Sequence, residues 1–244
     1  MLKVSKLSAK IEDTKVIDSL DLEIGEGQIH VLLGPNGSGK SSLSKVIMGV
    51  GGYEVTSGSI EFEGKDITNI SPDDRARMGI FLANQYPIEV PGVGLANFLR
   101  LAYNSRFDND KSKLSVLKFK KLLQEKAKLV DLDKKFLDRN LNEGFSGGEK
   151  KKSEILQMAV LEPKLAILDE TDSGLDVDAL KQVFTAVRNI KKENKSMSLL
   201  IITHYERVFE YITPDKVHVM RDGKIIETGD KKLAEKIQKH GFKK

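Results

Sequence analysis

Residues 29–49 read "IHVLLGPNGSGKSSLSKVIMG": an apolar run, a glycine-rich break, and a stretch with helical spacing. Ile29 to Leu33 has the length and aliphatic content of a buried strand and stops at Gly34-Pro35. Lys40 to Met48 spaces its apolar residues as a helix does, and Gly49 supplies the stop. Strand, loop and helix form the context in which Gly34-Pro35-Asn36-Gly37-Ser38-Gly39-Lys40-Ser41-Ser42 acquires a chemical meaning, because it satisfies G-x-x-x-x-G-K-[ST]. The glycines let backbone N–H groups curl around phosphate oxygens, and the following helix adds its positive end. Lys40 would reach the β and γ phosphates of a nucleoside triphosphate, and Ser41 would ligand Mg2+.

Outward from this stretch, "LAILD" (165–169) and "SLLIIT" (198–203) are again short apolar runs bounded by polar residues, with helical patterns between and after them. Alternating strands and helices predict an α/β core with a largely parallel sheet. The first 30 residues and "SGSIEFEGKDI" (57–67) alternate in polarity instead, which predicts antiparallel strands flanking that core. Between about Tyr86 and Leu161 no strand signal is found, only helical stretches such as "LSVLKFKKLLQEKAKLVDL" (114–132). The expected organisation is one domain over 1–244, with a core of about 1–85 and 162–244 and an inserted helical subdomain of about 86–161.

Composition narrows the function classes. The 39% hydrophobic and 31% charged content of the 244 residues is that of an ordinary globular protein. With 40 Lys+Arg against 36 Asp+Glu the formal net charge is only +4, and the lysines are scattered, which reads as solvated surface and argues against nucleic acid as a partner. There is no cysteine, so neither a disulfide nor a thiolate metal site is available. The amino terminus "MLKVSKLSAKIED" has no apolar h-region, and no run approaches the roughly 18 apolar residues that a bilayer span requires. No membrane association and a cytoplasmic location are expected.

Four further residues carry chemistry. Asp169, at the end of an apolar strand, is placed to hold Mg2+ beside the loop. Glu170 follows it and is the candidate general base that polarises the attacking water. His204 closes "SLLIITHYE" at the carboxyl end of the next strand, where open α/β sheets collect ligand-binding residues, and is read as a γ-phosphate contact. Gln85 begins "QYPIEVPG" at the junction with the helical insertion, where it could touch the metal or the attacking water. His30, His218 and His240 have no such setting and are read as surface or core.

The order of phosphate loop, junction glutamine, "FSGGE" (145–149), "LAILDE" (165–170), "SGLD" (173–176) and His204 resembles the full motif set of ABC-type ATPases over essentially the whole chain. Within that superfamily, "QYPIEVPG", "NEGFSGGEKK", "ILQMAVLEPKLAILDE" and "DSGLDVDALK" resemble the ATPase subunits of the Suf iron–sulfur cluster assembly system. The resemblance implies ATP and Mg2+ as cofactors, SufB-type and SufD-type scaffold proteins as partners, and an ATP-dependent dimer of this chain. It also implies that Ser146, Gly147 and Gly148 serve the γ phosphate of ATP held by another copy. A nucleotide-binding subunit of a membrane ABC transporter is the alternative function. The family generally stacks adenine on an aromatic residue in the first strand pair, but "SAKIEDTKVID" (8–18) has none, leaving Ile11 or Val16 for that contact.

The same resemblance decides a competing motif. Gly144-Phe145-Ser146-Gly147-Gly148 also fits G-x-S-x-G, the elbow that presents a nucleophilic serine, but such an elbow needs a strand before it. The preceding "KKFLDRNLNE" (134–143) is polar and reads as loop or helix end. Ser146 and Glu149 instead match the capping box S-x-x-E, so Ser146 should open a helix. Lys150, Lys151 and Lys152 follow in that helix's first two turns and read as a solvated basic face. A sharper expectation is that Lys151 pairs with Glu170 in the resting subunit.

Overall fold

A computed structural model of the chain describes residues 1–107 and 112–240. They fall into two compact units, one of Met1–Leu82, Lys164–Thr171 and the chain from Ser196 onward, the other of Ala83–Pro163 and Asp172–Lys195.

The first unit holds two sheets. β1 (Leu2–Ile11), β2 (Thr14–Ile24), β4 (Tyr53–Phe62) and β5 (Lys65–Asp66) form an antiparallel sheet in the order β2-β1-β4-β5. These are the segments whose alternation predicts half-buried strands. The second sheet runs β12-β11-β3-β10-β9-β6, with β3 at Ile29–Leu33, β6 at Ile80–Ala83, β9 at Leu165–Asp169, β10 at Ser198–Thr203, β11 at Lys216–Arg221 and β12 at Lys224–Gly229. β11, β3, β10 and β9 are parallel, and β12 returns antiparallel to β11. β9 and β10 are buried at every residue and β3 at all but its first, as continuous apolar runs in a covered parallel sheet should be. Leu7, Ile17, Ile24, Ile47, Phe62 and Leu200 belong to the core of this unit. Each such side chain contributes about 1.5–3 kcal/mol relative to exposure.

Register decides where function gathers. Leu33 pairs with Thr203, and Asp169 with Ile202, so β3, β9 and β10 end level with one another. The residues that follow them, Gly34, Glu170 and His204, therefore emerge along one carboxyl edge, where open α/β sheets bind ligands. α1 (Lys40–Met48) rises from the loop after β3 and ends at Gly49, whose φ of 75° closes the helix with N–H bonds to Lys45 and Val46 carbonyls. α2 (Pro72–Met78) and α7 (Lys231–His240) complete the unit.

The second unit is helical: α3 (Leu95–Asn104), α4 (Val116–Leu129), α5 (Gly147–Leu161) and α6 (Val177–Glu193). It differs from the sequence expectation in two respects. β7 (Val90–Gly94) and β8 (Asn140–Leu141) pair as a small antiparallel ribbon, Val90 opposite Leu141 and Gly94 opposite Asn140. A strand spelled Val-Pro-Gly-Val-Gly and another of two residues are too short and too rich in Gly and Pro to leave a period of two. Residues 172–195 also group with this unit rather than with the core to which their position assigned them. α6 buries Leu180, Val183, Phe184, Val187 and Ile190 along one stripe, and a stripe announces a partner without naming it.

Candidate nucleotide site

The loop after β3 is shaped by what its glycines exclude. A Cβ on Gly34 would lie 2.3 Å from the Met220 carbonyl oxygen and 2.8 Å from Ser38 Oγ. Gly39 holds φ at +101°, and a Cβ there would meet the Val16 carbonyl oxygen at 2.6 Å. Neither position tolerates a side chain. Asn36 and Gly37 are exposed, Ser38 is buried, and Lys40 is 4% exposed. Lys40 Nζ donates to the carbonyls of Gly34 at 2.9 Å and Pro35 at 3.0 Å, so its cation lies across the mouth of the loop. Burial pushes its pKa down, opposed by the nearby negative charges of Glu170 and Asp169.

Asp169 meets α1 directly. Ser41 Oγ donates to its Oδ1 at 3.0 Å, and Ser44 Oγ to its Oδ2 at 2.8 Å. Burial raises the Asp169 pKa, while the two hydroxyls pull it back. Ser44 was missed in the sequence; its spacing of three from Ser41, which puts both hydroxyls on one helix face, was the available signal. Among the described residues no group of three or more His, Cys, Asp or Glu converges on a metal position. Ser41 and Asp169 offer two hard oxygens instead, which suits a Mg2+ that takes its remaining ligands from phosphate and water.

Glu170 is 7% exposed and adopts φ of +47°, a conformation uncommon outside glycine and concentrated at functional sites. Its N–H donates to the Ile202 carbonyl at 2.9 Å, fixing the turn out of β9 against β10. His204 Nδ1 stands 3.6 Å from Glu170 Oε1, too far for a hydrogen bond but close enough to pair when the ring is protonated. The His204 ring packs on Tyr205 with centroids 3.9 Å apart. The structure thus brings together Lys40, Ser41, Asp169, Glu170 and His204 in the first unit.

Ser146, Gly147, Gly148 and Gln85 belong to the second unit. Ser146 caps α5 as the motif predicts: its Oγ accepts from Glu149 N–H at 3.3 Å, and Glu149 Oε2 accepts from Ser146 N–H at 2.8 Å. The approach to Ser146 is a turn, with φ of +58° at Asn142 and +64° at Gly144, so no strand runs into an elbow. A Cβ on Gly147 would meet nothing within 4 Å, so packing within the chain does not require a glycine there.

The three lysines after the cap are not a free basic face. Lys150 pairs with Glu89 at 2.6 Å and Lys152 with Asp131 at 3.4 Å. Lys151 is 3% exposed and donates at 2.8 Å to the carbonyls of both Asn84 and Gln85, with Glu154 at 3.4 Å. Glu154 accepts from Asn84 N–H at 3.0 Å, and burial pushes its carboxyl up to about 7 against the pull of Lys151. α5 is buried on most of its circumference, which is why the lysines of its first two turns are not a solvated face. His30 and His218 are core residues. The side chain of His240 lies outside the described residues.

A family profile described as "ABC transporter" matches residues 17–173. The chain is 51% identical to a "Probable ATP-dependent transporter ycf16" of Antithamnion sp., over 99% of this chain and 96% of that protein. It is 46% identical to the "Probable ATP-dependent transporter SufC" of Escherichia coli strain K12, over 99% of this chain and 97% of the relative. The dimeric post-hydrolysis structure of the ATP-binding cassette MJ0796, bound to ADP and Pi, shares the fold at a TM-score of 0.81 and 18% identity, over 94% of this chain and 98% of its own. On the family match and these full-length likenesses, the chain belongs to the ABC-type ATPase family, in the neighbourhood of the SufC-type proteins, and is an ATP hydrolase.

Proposed function

We propose that this chain, as a single ABC ATPase domain, uses ATP-driven dimerisation to drive conformational change in a SufB/SufD-type scaffold during iron–sulfur cluster assembly in the cytoplasm. The observation that supports the catalytic part is the level ending of β3, β9 and β10, from which Gly34, Glu170 and His204 emerge, with Lys40 bonded to the Gly34 carbonyl and Ser41 to Asp169. Gly34 to Ser42 cradles the phosphates. Lys40 exchanges its two carbonyl partners for β and γ phosphate oxygens. Ser41 and Asp169 would hold Mg2+, with Gln85 as a further ligand, and the ion when bound would neutralise charge on the phosphate oxygens. Glu170 takes the proton of the attacking water, and His204 donates to the γ phosphate. Ser146, Gly147 and Gly148 of a second copy contact the same phosphate; the open space at Gly147 supports that approach.

The scaffold part rests on the SufC name of a full-length relative, with the 46% identity reported above. The absence of cysteine fits a subunit that does work on a cluster scaffold without holding the cluster through thiolates. Tyr86 and Ile88, 76% and 70% exposed beside Gln85, supply an apolar docking surface. The second reading, a subunit serving a membrane permease, draws on the word "transporter" in the relatives' names. Among the described residues no helix is long and apolar enough to cross a membrane.

Co-expression with SufB-type and SufD-type proteins and anaerobic copurification is the test. The complex should form with wild type and be lost with Ile88→Glu while ATP binding survives. Copurification with a polytopic membrane protein instead would favour the second reading.

A further inference from the structure

His30 and His218 are buried on the adjacent parallel strands β3 and β11 and take no part in the chemistry above. Their rings meet with His30 Nδ1 3.0 Å from His218 Nε2. The protons of this contact are determined from one end. Gly25 N–H donates to Gln28 Oε1 at 2.7 Å, so that atom is the amide oxygen, and it accepts from His30 Nε2 at 3.1 Å. A neutral His30 protonated on Nε2 carries its lone pair on Nδ1, so His218 Nε2–H must donate to it. His218 then has its lone pair on Nδ1, where the Thr228 hydroxyl donates at 2.9 Å. The result is a one-way chain of hydrogen bonds from β12 through β11 to β3, in which both rings are neutral and share one tautomer. Burial pushes both imidazoles down to about 4, in keeping with that requirement.

The hairpin held by this chain lies against the phosphate loop. Gly223 N–H, in the β11–β12 turn, donates to the Ser38 carbonyl at 2.9 Å. The Met220 carbonyl oxygen occupies the space that a Cβ on Gly34 would need, and Met220 Cε lies 2.9 Å from where a Cβ on Gly39 would be. A slip of β11 by one residue would turn its side chains to the other face and withdraw all three contacts. It would also leave two buried imidazoles without partners, each at the cost of an unsatisfied polar group.

We propose that the His30–His218 pair is a register pin: it sets the β11–β12 hairpin on β3 and thereby holds the phosphate loop in its ATP-binding shape. Both histidines are positioning residues. The inference rests on the reading that Gly34 to Ser42 binds the phosphates of ATP.

The test separates register from stability. Apolar replacement of a buried polar pair is often neutral for stability, so His30→Leu/His218→Leu should stay folded by circular dichroism and thermal unfolding. Its affinity for a fluorescent ATP analogue should nevertheless fall about fivefold to tenfold, the loss expected from removing one to two hydrogen-bond equivalents of positioning. KM for ATP should rise by a larger factor than kcat falls. A folded double variant with wild-type affinity overturns the proposal. Should that variant fail to fold, Thr228→Val, which keeps the shape and removes only the terminal donor, must weaken ATP binding in the same direction, and unchanged binding overturns the proposal. Nitrogen NMR of the histidine side chains must show both rings protonated on Nε2 at neutral pH; a ring protonated on Nδ1 overturns the chain. Lys40→Ala serves as the control for the underlying site. If it binds ATP normally, the site reading fails; if it does not bind while the histidine variant binds as wild type, the register pin alone fails.

Discussion

The proposed base for hydrolysis is one carboxylate, that of Glu170. Glu170 is held in a left-handed conformation by its N–H bond to the Ile202 carbonyl, which turns the side chain away from the path of β9 and towards His204. Glu170→Gln keeps the shape and removes the proposed base, so ATP binding should survive while phosphate release falls by about 10²-fold or more. Turnover above about a tenth of wild type would count against Glu170 as the base. This residue, with Lys40, Ser41, Asp169 and His204, was legible in the sequence because each stands at the end of a short apolar strand or in a spaced glycine motif. Ser44 was not, since a serine in a helix carries no signal until the aspartate that it bonds is placed beside it. The histidine pair was illegible for the same reason: His30 and His218 are 188 positions apart and meet only through the sheet.

At the scale of the element, α5 does more than open with Ser146. Lys150 with Glu89, Lys151 with the Asn84 and Gln85 carbonyls, and Glu154 with the Asn84 N–H tie the segment 84–89 to its first two turns. Asn142 Nδ2 adds a bond of 2.9 Å to the Ile88 carbonyl, from the turn just before the helix. Capping was legible because S-x-x-E is local, whereas the clamp joins residues more than fifty positions apart. Lys151→Ala would leave two carbonyls and a buried carboxylate without their cation, so the variant should be destabilised by about 3–5 kcal/mol, as when one partner of a buried pair is removed. Urea unfolding measures this, and a loss below about 1 kcal/mol would show that the clamp is weak. The clamp alone forecasts no gain of activity in the folded variant, whereas the other expectation, a resting contact from Lys151 to Glu170, forecasts that the alanine variant hydrolyses ATP faster than wild type. Steady-state rates on the folded variant decide between them.

For the molecule as a whole, the α/β class and the parallel sheet were legible from three apolar runs, while strand order was not, because it depends on pairing between distant segments. Stability against acid follows from that pairing. His30 and His218 titrate near 4 in the fold against about 6.5 in the unfolded chain, so between those values the unfolded state binds the protons. Their contribution is complete above about pH 6.5 and is lost as pH falls towards 4, at up to about 1.4 kcal/mol per pH unit for each proton. Lys216 deepens the depression of both rings, and Asp215 opposes it at His30. Urea midpoints taken at pH 7, 6 and 5 should fall more steeply for wild type than for His30→Leu/His218→Leu; parallel slopes would remove the pair from the account. Assembly is the last property at this scale. If Ser146 serves ATP held by another copy, the site is complete only when two chains meet, and hydrolysis would dissolve the evidence of that meeting. In the Glu170→Gln background ATP persists, so light scattering with Mg·ATP should report a doubling of mass that is absent with ADP. Ser146→Asp in the same background places a negative charge against the γ phosphate while retaining a side-chain cap on α5, so it should abolish the dimer with little effect on ATP binding by the monomer. A dimer that forms equally well with the aspartate would mean that Ser146 does not reach the phosphate, and a chain that stays monomeric with ATP would leave pairing to the scaffold.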